Sequence, residues 1–476
     1  MQTSSRQTPN ILFIMSDDHA SHAMSCYGSR INKTPHMDRI AEGGLRFDNC
    51  FCTNSICAPS RAAILAGTHN HVNGVTTLGT PMDNRLLTFP KLLSGHGYQT
   101  AIFGKWHLGE GPAYCPAGFD DWAVLPGQGL YHDPEFIFKG PDGGVTRKVP
   151  GYATDIITDL SLGWLENRDR NRPFCLLCHH KAPHRPWCPD DKHARMYLDE
   201  KIPEPETLCD DYRSRASAAA AARMRVGPNM TKTDLKCDIP GNMPENELRR
   251  WAYQLYIKDY LRVVASIDDN VGRLLDYLDG EGLSGNTVVI YTSDQGFFLG
   301  DHGWYDKRFM YEESLRMPFI LRYPGLVKPG AVNDDIVLNL DFAPLFLDLA
   351  GVQVPASFQG RSLLPLLKGS TPPDWRQAMY YRYWMHKAHH NVYAHYGIRT
   401  GRYKLIYYYA DALAQPGATG ATCEPEWELF DLQKDPREMH SVYADPAYAG
   451  IVPELKRELH RLQAECGDKR YPKDID

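Results

Sequence analysis

Four runs of strand length punctuate the chain: NILFIM at 10–15, TAIF at 100–103, PFCLLCHH at 173–180 and TVVIYT at 287–292. Each is short and either β-branched or apolar throughout. Strands of that kind belong in a sheet covered on both faces, as in mostly parallel α/β sheets. Helical patterns lie between them. TPHMDRIAEGG opens with Thr34 as N-cap and Pro35 at the first helical position, and further patterns cover 88–93, 154–168 and 245–278, the last after a polar, irregular stretch at 187–242. The sequence therefore predicts an α/β fold, a large, mostly parallel sheet sandwiched by helices, with reactive residues at strand ends. The pattern changes after Pro365. TPPDW reads as a linker, AMYYRYW, YGIRTGRYKLIYYY and EWELFDL alternate as antiparallel strands, and PELKRELHRLQAE closes the chain as a helix. The expected division is a main domain over 1–370 and a smaller α+β subdomain over 371–476.

A formal net charge of −6 gives no long-range field for a polyanion, so nucleic acid is not an expected partner and any anionic substrate must be held by local groups. The opening MQTSSRQTPN is polar, and the apolar run behind it is too short for a signal peptide or a membrane span. The expectation is a cytoplasmic protein with no membrane partner, although a trimmed periplasmic or secreted protein would begin the same way. Among twelve scattered cysteines only Cys175 and Cys178 form a CxxC pair, and they fall inside a strand, where a structural role is expected rather than a redox or zinc role.

Polar motifs interrupt or follow all four runs. Asp17-Asp18 follows the first, and adjacent carboxylates repel unless a cation sits beside them; a solvated turn is the plainer reading. Ser293-Asp294-Gln295-Gly296 ends the fourth. Gly104-Lys105-Trp106-His107-Leu108-Gly109 follows the second, and Lys181-Ala182-Pro183-His184-Arg185-Pro186 the third. Apart from these, Cys57-Ala58-Pro59-Ser60-Arg61 runs on to Gly67; alone it could be a structural cysteine opening a helix.

Together these motifs occur in the order found in the type I sulfatases of the alkaline phosphatase superfamily, and the chain resembles that family along nearly its whole length. The signature is C-x-P-S-R-x-x-x-x-x-G, here Cys57 to Gly67. The resemblance implies that a formylglycine-generating enzyme, a transient partner, oxidises Cys57 to formylglycine and that the hydrated aldehyde attacks sulfur. A serine sulfate would need hydrolysis, whereas a geminal diol that has taken the sulfate expels it by collapsing to the aldehyde. The resemblance also implies that Asp17, Asp18, Asp294, Gln295 and the modified Cys57 hold one Ca²⁺, with Mg²⁺ less favoured; oxygen donors suit calcium, and zinc would want His or Cys. Gln295 departs from the Asn or His of many members but offers the same amide oxygen on a longer stem. Arg61, Lys105 and Lys307 would surround the sulfate, His107 would hydrogen-bond the diol and take its proton at collapse, and His184 would donate a hydrogen bond or a proton to the bridging oxygen, the departing alcohol being protonated by His184 or Lys307.

Within the family the chain is most similar to carbohydrate sulfatases of the glucosamine 6-sulfate type. The segment WMHKAHHNVYAH at 384–395 offers His386, His389, His390 and His395 to a sugar. The expected partner is a small sulfated substrate, and oligomeric state is not legible. Other readings are a phosphonate monoester or phosphodiester hydrolase of the same superfamily, a choline or aryl sulfatase, and a non-catalytic carbohydrate-binding relative. Against the last, every mapped catalytic position holds a competent residue.

Overall fold

The computed structural model describes residues 8–474. Four parallel strands, β1 (Asn10–Ser16), β2 (Gln99–Lys105), β3 (Phe174–His179) and β4 (Thr287–Ser293), lie side by side in the order β4-β1-β3-β2 at the centre of a ten-stranded sheet. Every residue in them is buried. Asp121–Leu125 adds a fifth parallel strand beside β2. The sheet is mixed towards its edges: Phe319–Arg322 runs antiparallel to β4, and Glu135–Phe138 and Val145–Lys148 fold back as a hairpin beyond Asp121–Leu125. Short returns suffice for antiparallel edges, whereas parallel neighbours need long crossovers.

Those crossovers carry the helices. Pro35–Glu42 (α1), Ala153–Asn167 (α4) and the long Glu245–Gly280 (α5) pack on one face, and Cys57–Ala66 (α2), Phe89–Gly95 (α3) and Phe342–Leu349 (α6) on the other. Helix α2 is buried at every position, which explains its run of small and aliphatic residues in place of a polar stripe. It stops at Gly67, whose φ of 62° and tight approach to the Phe358 ring both exclude a side chain.

Register sets the site. Ser16 lies opposite Ser293, Met15 opposite His179, and His179 opposite Gly104, so the central strands end level. The residues that leave them therefore emerge along one sheet edge.

The second sheet, β5 (Ala378–Tyr383), β6 (His395–Thr400), β7 (Tyr403–Tyr408) and β8 (Glu426–Asp431), is antiparallel in chain order. Its alternation sorts two buried faces. Tyr381, Tyr383, Tyr408 and Phe430 join the main core, while Tyr380, Tyr396, Tyr407 and Leu429 form a second core with Leu455 and Leu459 of the closing helix α7 (Ile451–Cys466). Among the described residues no helix is long and apolar enough to cross a membrane.

Candidate active site

Asp17 and Asp18 leave β1, and Asp294 leaves β4. One oxygen from each lies within 4.8 Å of the others, and all three residues are 0% exposed. At an effective dielectric constant of 20, each pair of charges at that spacing repels by about 3 kcal/mol, so the trio requires compensation. Protein cations supply part of it. Lys105 Nζ is ion-paired with Asp17, Lys307 Nζ donates to Asp18 Oδ1 at 2.5 Å, and Arg61 Nε donates to Asp294 Oδ2 at 3.0 Å.

Three acceptors stay without partners among the described residues: Asp17 Oδ1, Asp18 Oδ2 and Gln295 Oε1. Gln295 turns its NH₂ to Asp18 Oδ1 at 2.5 Å. Buried oxygens left bare are costly, and a ring of them is the donor set of a hard divalent cation. Burial pushes the Asp18 carboxyl up to about 6 against the pull of Lys307.

Nitrogens are left bare in the same place. Arg61 Nη1 donates to the Lys105 carbonyl at 2.8 Å, but Nη2 has no partner, and neither has His107 Nδ1. Unmet carboxylate and amide oxygens together with an unmet guanidinium donor suit a cation and an anion together.

Cys57 opens α2 and is 1% exposed. Ser60, one turn on, donates to the Asp294 carbonyl and accepts from Asn339 Nδ2 at 2.8 Å, which ties α2 to the end of β4. A Cys57 ligand atom lies within 4.8 Å of ligand atoms of Asp17 and His184. Burial pushes the Cys57 thiol up to about 12, so the unmodified side chain is not a thiolate nucleophile near neutral pH.

His184 Nδ1 donates to the Arg185 carbonyl at 2.6 Å, leaving Nε2 towards Asp18 Oδ2, 3.9 Å away. Burial, then Lys105, Lys307 and Lys181, hold the His184 imidazole well below its ordinary value, so the ring is neutral. Lys307 behaves oppositely: burial would lower it, but Asp18, Cys57 and Asp306 raise its ammonium above the usual lysine range.

Further residues join the site: Gln128, Asp306 and Arg308, which no motif marked, with Lys181 of the third motif and His390 of the 384–395 segment. Gln128 accepts from Lys105 Nζ at 2.5 Å. Lys181 lies 4.5 Å over the Tyr131 ring, 2% exposed, with no carboxylate partner among the described residues. Asp306 and Arg308 flank Lys307; Arg308 Nε donates to Asp306 Oδ1 at 3.2 Å, and His390 Nε2 lies 3.1 Å from Asp306 Oδ2. Asp18, His107, Asp306, Arg308 and His390 all have left-handed φ, between 56° and 93°, where non-glycine residues are strained by about 1–3 kcal/mol each. Strain gathered around one cluster is a functional signature that no sequence motif records.

The histidine-rich segment divides. His386, expected against a sugar, spends both ring nitrogens on main chain: Nδ1 accepts from Ala394 N at 3.2 Å and Nε2 lies 3.2 Å from the Ala421 carbonyl. Its polar capacity holds the loop, which corrects the substrate-binding expectation. His395 is buried among Tyr381, Tyr383, Tyr408 and Phe309, and Nδ1 donates to the Tyr393 carbonyl at 2.7 Å. Burial lowers its imidazole to about 4, making it a neutral core ring. It is His390 that reaches the Asp306–Arg308 cluster.

Comparison with known proteins gives concordant matches. The family model described as Sulfatase matches residues 9–352, and that described as N-sulphoglucosamine sulphohydrolase, C-terminal, matches 300–465. An N-acetylglucosamine-6-O-sulfatase of Bacteroides thetaiotaomicron is 44% identical over 98% of this chain and 88% of its own length. A solved structure described as a complex with its substrate D-glucosamine-2-N,6-O-disulfate superposes with a TM-score of 0.91 at 43% identity, covering 98% of this chain and 100% of that one. A phosphonate monoester hydrolase of Agrobacterium radiobacter shares the fold, with a TM-score of 0.74 at 21% identity over 96% of both chains.

Proposed function

The chain belongs to the sulfatase family, and from that premise we propose that it hydrolyses the 6-O-sulfate ester of a glucosamine unit, using one Ca²⁺ and formylglycine at position 57. It is a sulfuric ester hydrolase, and the family works with a metal ion and formylglycine. The single observation that carries the reading is the set of bare acceptors, Asp17 Oδ1, Asp18 Oδ2 and Gln295 Oε1, together with the bare guanidinium donor Arg61 Nη2 and the unpartnered ring nitrogen His107 Nδ1.

Asp17, Asp18, Asp294 and Gln295 would hold the ion, and their all-oxygen chemistry favours calcium. Formylglycine supplies a hydrated aldehyde whose hydroxyl attacks sulfur and whose collapse frees sulfate. The chain's own residues prepare that chemistry. Arg61, anchored on Asp294 and the Lys105 carbonyl, aims Nη2 at a sulfate oxygen. Lys307, kept charged by Asp18, meets the leaving oxygen as the donor; neutral His184, with its proton committed from Nδ1 to the Arg185 carbonyl, has only an acceptor at Nε2. These groups are held before substrate arrives, so charge gathering on the transferred oxygens needs little reorganisation. Beyond Lys307, Asp306, Arg308 and His390 form a polar rim suited to sugar hydroxyls.

The test is sulfate release, read by ion chromatography, from glucosamine 6-sulfate, heparin disaccharides, choline sulfate and an aryl sulfate, with an aryl phosphonate monoester run in parallel. The protein used must carry formylglycine at position 57 by peptide mass. Release from the glucosamine 6-sulfate compounds supports the reading. Turnover confined to the phosphonate, or to choline or aryl sulfate, overturns it.

A further inference from the structure

The chain reaches residue 57 through a buried stretch, Thr53 to Ile56, that is stitched to β5 of the second sheet. Arg382 N donates to the Thr53 carbonyl at 3.1 Å, and Ser55 N donates to the Tyr381 hydroxyl at 3.0 Å. That hydroxyl in turn donates to the Arg308 carbonyl at 2.7 Å. A phenol has one proton to give and lone pairs to accept with, so a single O–H serves both groups at once. Burial holds the Tyr381 phenol well above its ordinary value, which keeps that proton in place near neutral pH. Neither the Ser55 N–H nor the Arg308 carbonyl has another hydrogen-bond partner among the described residues. The stretch has further ties, from Thr53 N to Asn339 Oδ1 at 3.3 Å and from Ser55 Oγ to the Ser314 carbonyl at 2.7 Å, but these do not reach residues 306–308. The ring is fixed as well: Tyr381 is buried and stacks on the buried His395 with centroids 5.6 Å apart.

Ser55 stands two residues before the position of the nucleophile, and Arg308 follows Lys307 directly. We propose that Tyr381 is a positioning residue: its hydroxyl holds the nucleophile at residue 57 and the Lys307 donor in fixed relation, so that the second sheet completes the active site. This deepens the sulfatase reading and rests on it. Displacement at sulfur needs the attacking hydroxyl and the group that meets the leaving oxygen set at one spacing, and a misplacement of about 1 Å costs on the order of 10²-fold in rate.

Two variants separate this role from simple packing. Tyr381→Phe keeps the ring and its stacking and removes only the hydroxyl. Tyr380→Phe is the control: the residue precedes it on β5, faces the second core, and gives up a comparable bond, from its hydroxyl to Asp468 Oδ2 at 2.6 Å. All proteins compared must carry formylglycine at position 57 by peptide mass. The direct readout is hydrogen–deuterium exchange by mass spectrometry. In Tyr381→Phe, peptides spanning 53–56 and 306–309 should both exchange about 10-fold faster than in the wild type, and in Tyr380→Phe neither should. In kinetics on glucosamine 6-sulfate, Tyr381→Phe should lose about 10–10²-fold in kcat with its bound metal unchanged, whereas Tyr380→Phe should keep kcat within ~3-fold at a similar fall in Tm. Unaltered exchange at either segment, a kcat for Tyr381→Phe within ~3-fold of an active wild type, a loss of kcat accompanied by loss of metal, or an equal loss in Tyr380→Phe overturns the inference. Should the wild type release no sulfate from glucosamine 6-sulfate, the substrate reading fails instead, and exchange alone decides whether Tyr381 joins the two segments.

Discussion

Lys404 makes the sharpest test of how the second sheet is pinned to Glu312 of the main body. Its side chain is 0% exposed, and Nζ lies 2.6 Å from Glu438 Oε1 and 2.9 Å from Glu312 Oε1, charge contacts rather than aligned hydrogen bonds. Glu312 has other cations, Arg316 at 2.6 Å and Arg399 at 3.3 Å. Among the described residues Glu438 otherwise has only the Glu312 N–H, 2.7 Å from Oε2. Lys404→Met keeps the length of the stem and removes the charge, leaving Glu438 buried beside Glu312. Breaking a buried pair from one side costs about 3–5 kcal/mol. For 476 residues unfolding together, an unfolding entropy of about 1 kcal/mol per kelvin converts this to a fall in Tm of about 3–5 °C.

The loss must depend on pH, with a defined sign. Burial already pushes the Glu438 carboxyl up to about 7 against the pull of Lys404, and without Lys404 it rises further. A carboxyl raised on folding contributes most below its unfolded value of 4.5, and the contribution is lost as pH rises through the folded value. Calorimetry should therefore find the deficit of Lys404→Met in full at pH 8 and much reduced at pH 5, with Lys404→Met/Glu438→Gln recovering most of it at pH 8. An unchanged Tm at pH 8, or equal deficits at both pH values, would refute the pairing argument.

Other predictions follow from the site. Cys57→Ala should abolish turnover while leaving the circular dichroism spectrum and Tm near those of the wild type; retained turnover would remove residue 57 as nucleophile. Asp294→Asn takes away one of three clustered carboxylates and the partner of Arg61, so bound divalent metal by mass spectrometry and kcat/KM should both fall, the latter by at least ~10²-fold. Arg308→Ala should raise KM for glucosamine 6-sulfate by about 10-fold with little change in kcat and leave choline sulfate turnover alone, since in the proposed reading the rim meets sugar rather than the transferred group. His302 is raised to about 9 by Asp210 and Glu313 despite burial, so its contribution of about 3 kcal/mol is full below pH 6.5 and lost as pH rises through 9. The Tm gap between wild type and His302→Gln should close across that window.

The central strands were legible because burial on both faces leaves no polar residue to interrupt β1 or the core of β4. The edge strands were not. DWAVL at 121–125 is as apolar as β2, but five residues between turn-rich loops can be strand or coil, and only pairing along β2 decides. The tyrosine-rich segments alternate as a sheet should, yet their sequence does not say that both faces are covered, because tyrosine suits a core and a surface alike. His386 shows the limit at the site. A histidine among aromatics reads as a sugar contact until the main chain around it is known, and here Ala394 N and the Ala421 carbonyl occupy the ring.

The sequence by itself determined which groups are available: two carboxylates after β1, a third with an amide after β4, Lys105 and His107 after β2, His184 after β3, and Cys57 with Arg61 at the start of α2. These lie in contiguous motifs, and contiguity is what a sequence records. Tertiary structure alone decided what they do to one another. The level register of four parallel strands brings carboxylates nearly 280 residues apart within 4.8 Å and leaves their remaining oxygens bare. Gln128 and the strained Asp306–Arg308 pair enter the site only through contacts across the fold, and only the fold decides that His390, of the four histidines offered to a sugar, is the one that reaches Asp306. Distance and hydrogen-bond direction set charge, tautomer and accessible oxygen, and neither exists until the chain has closed on itself.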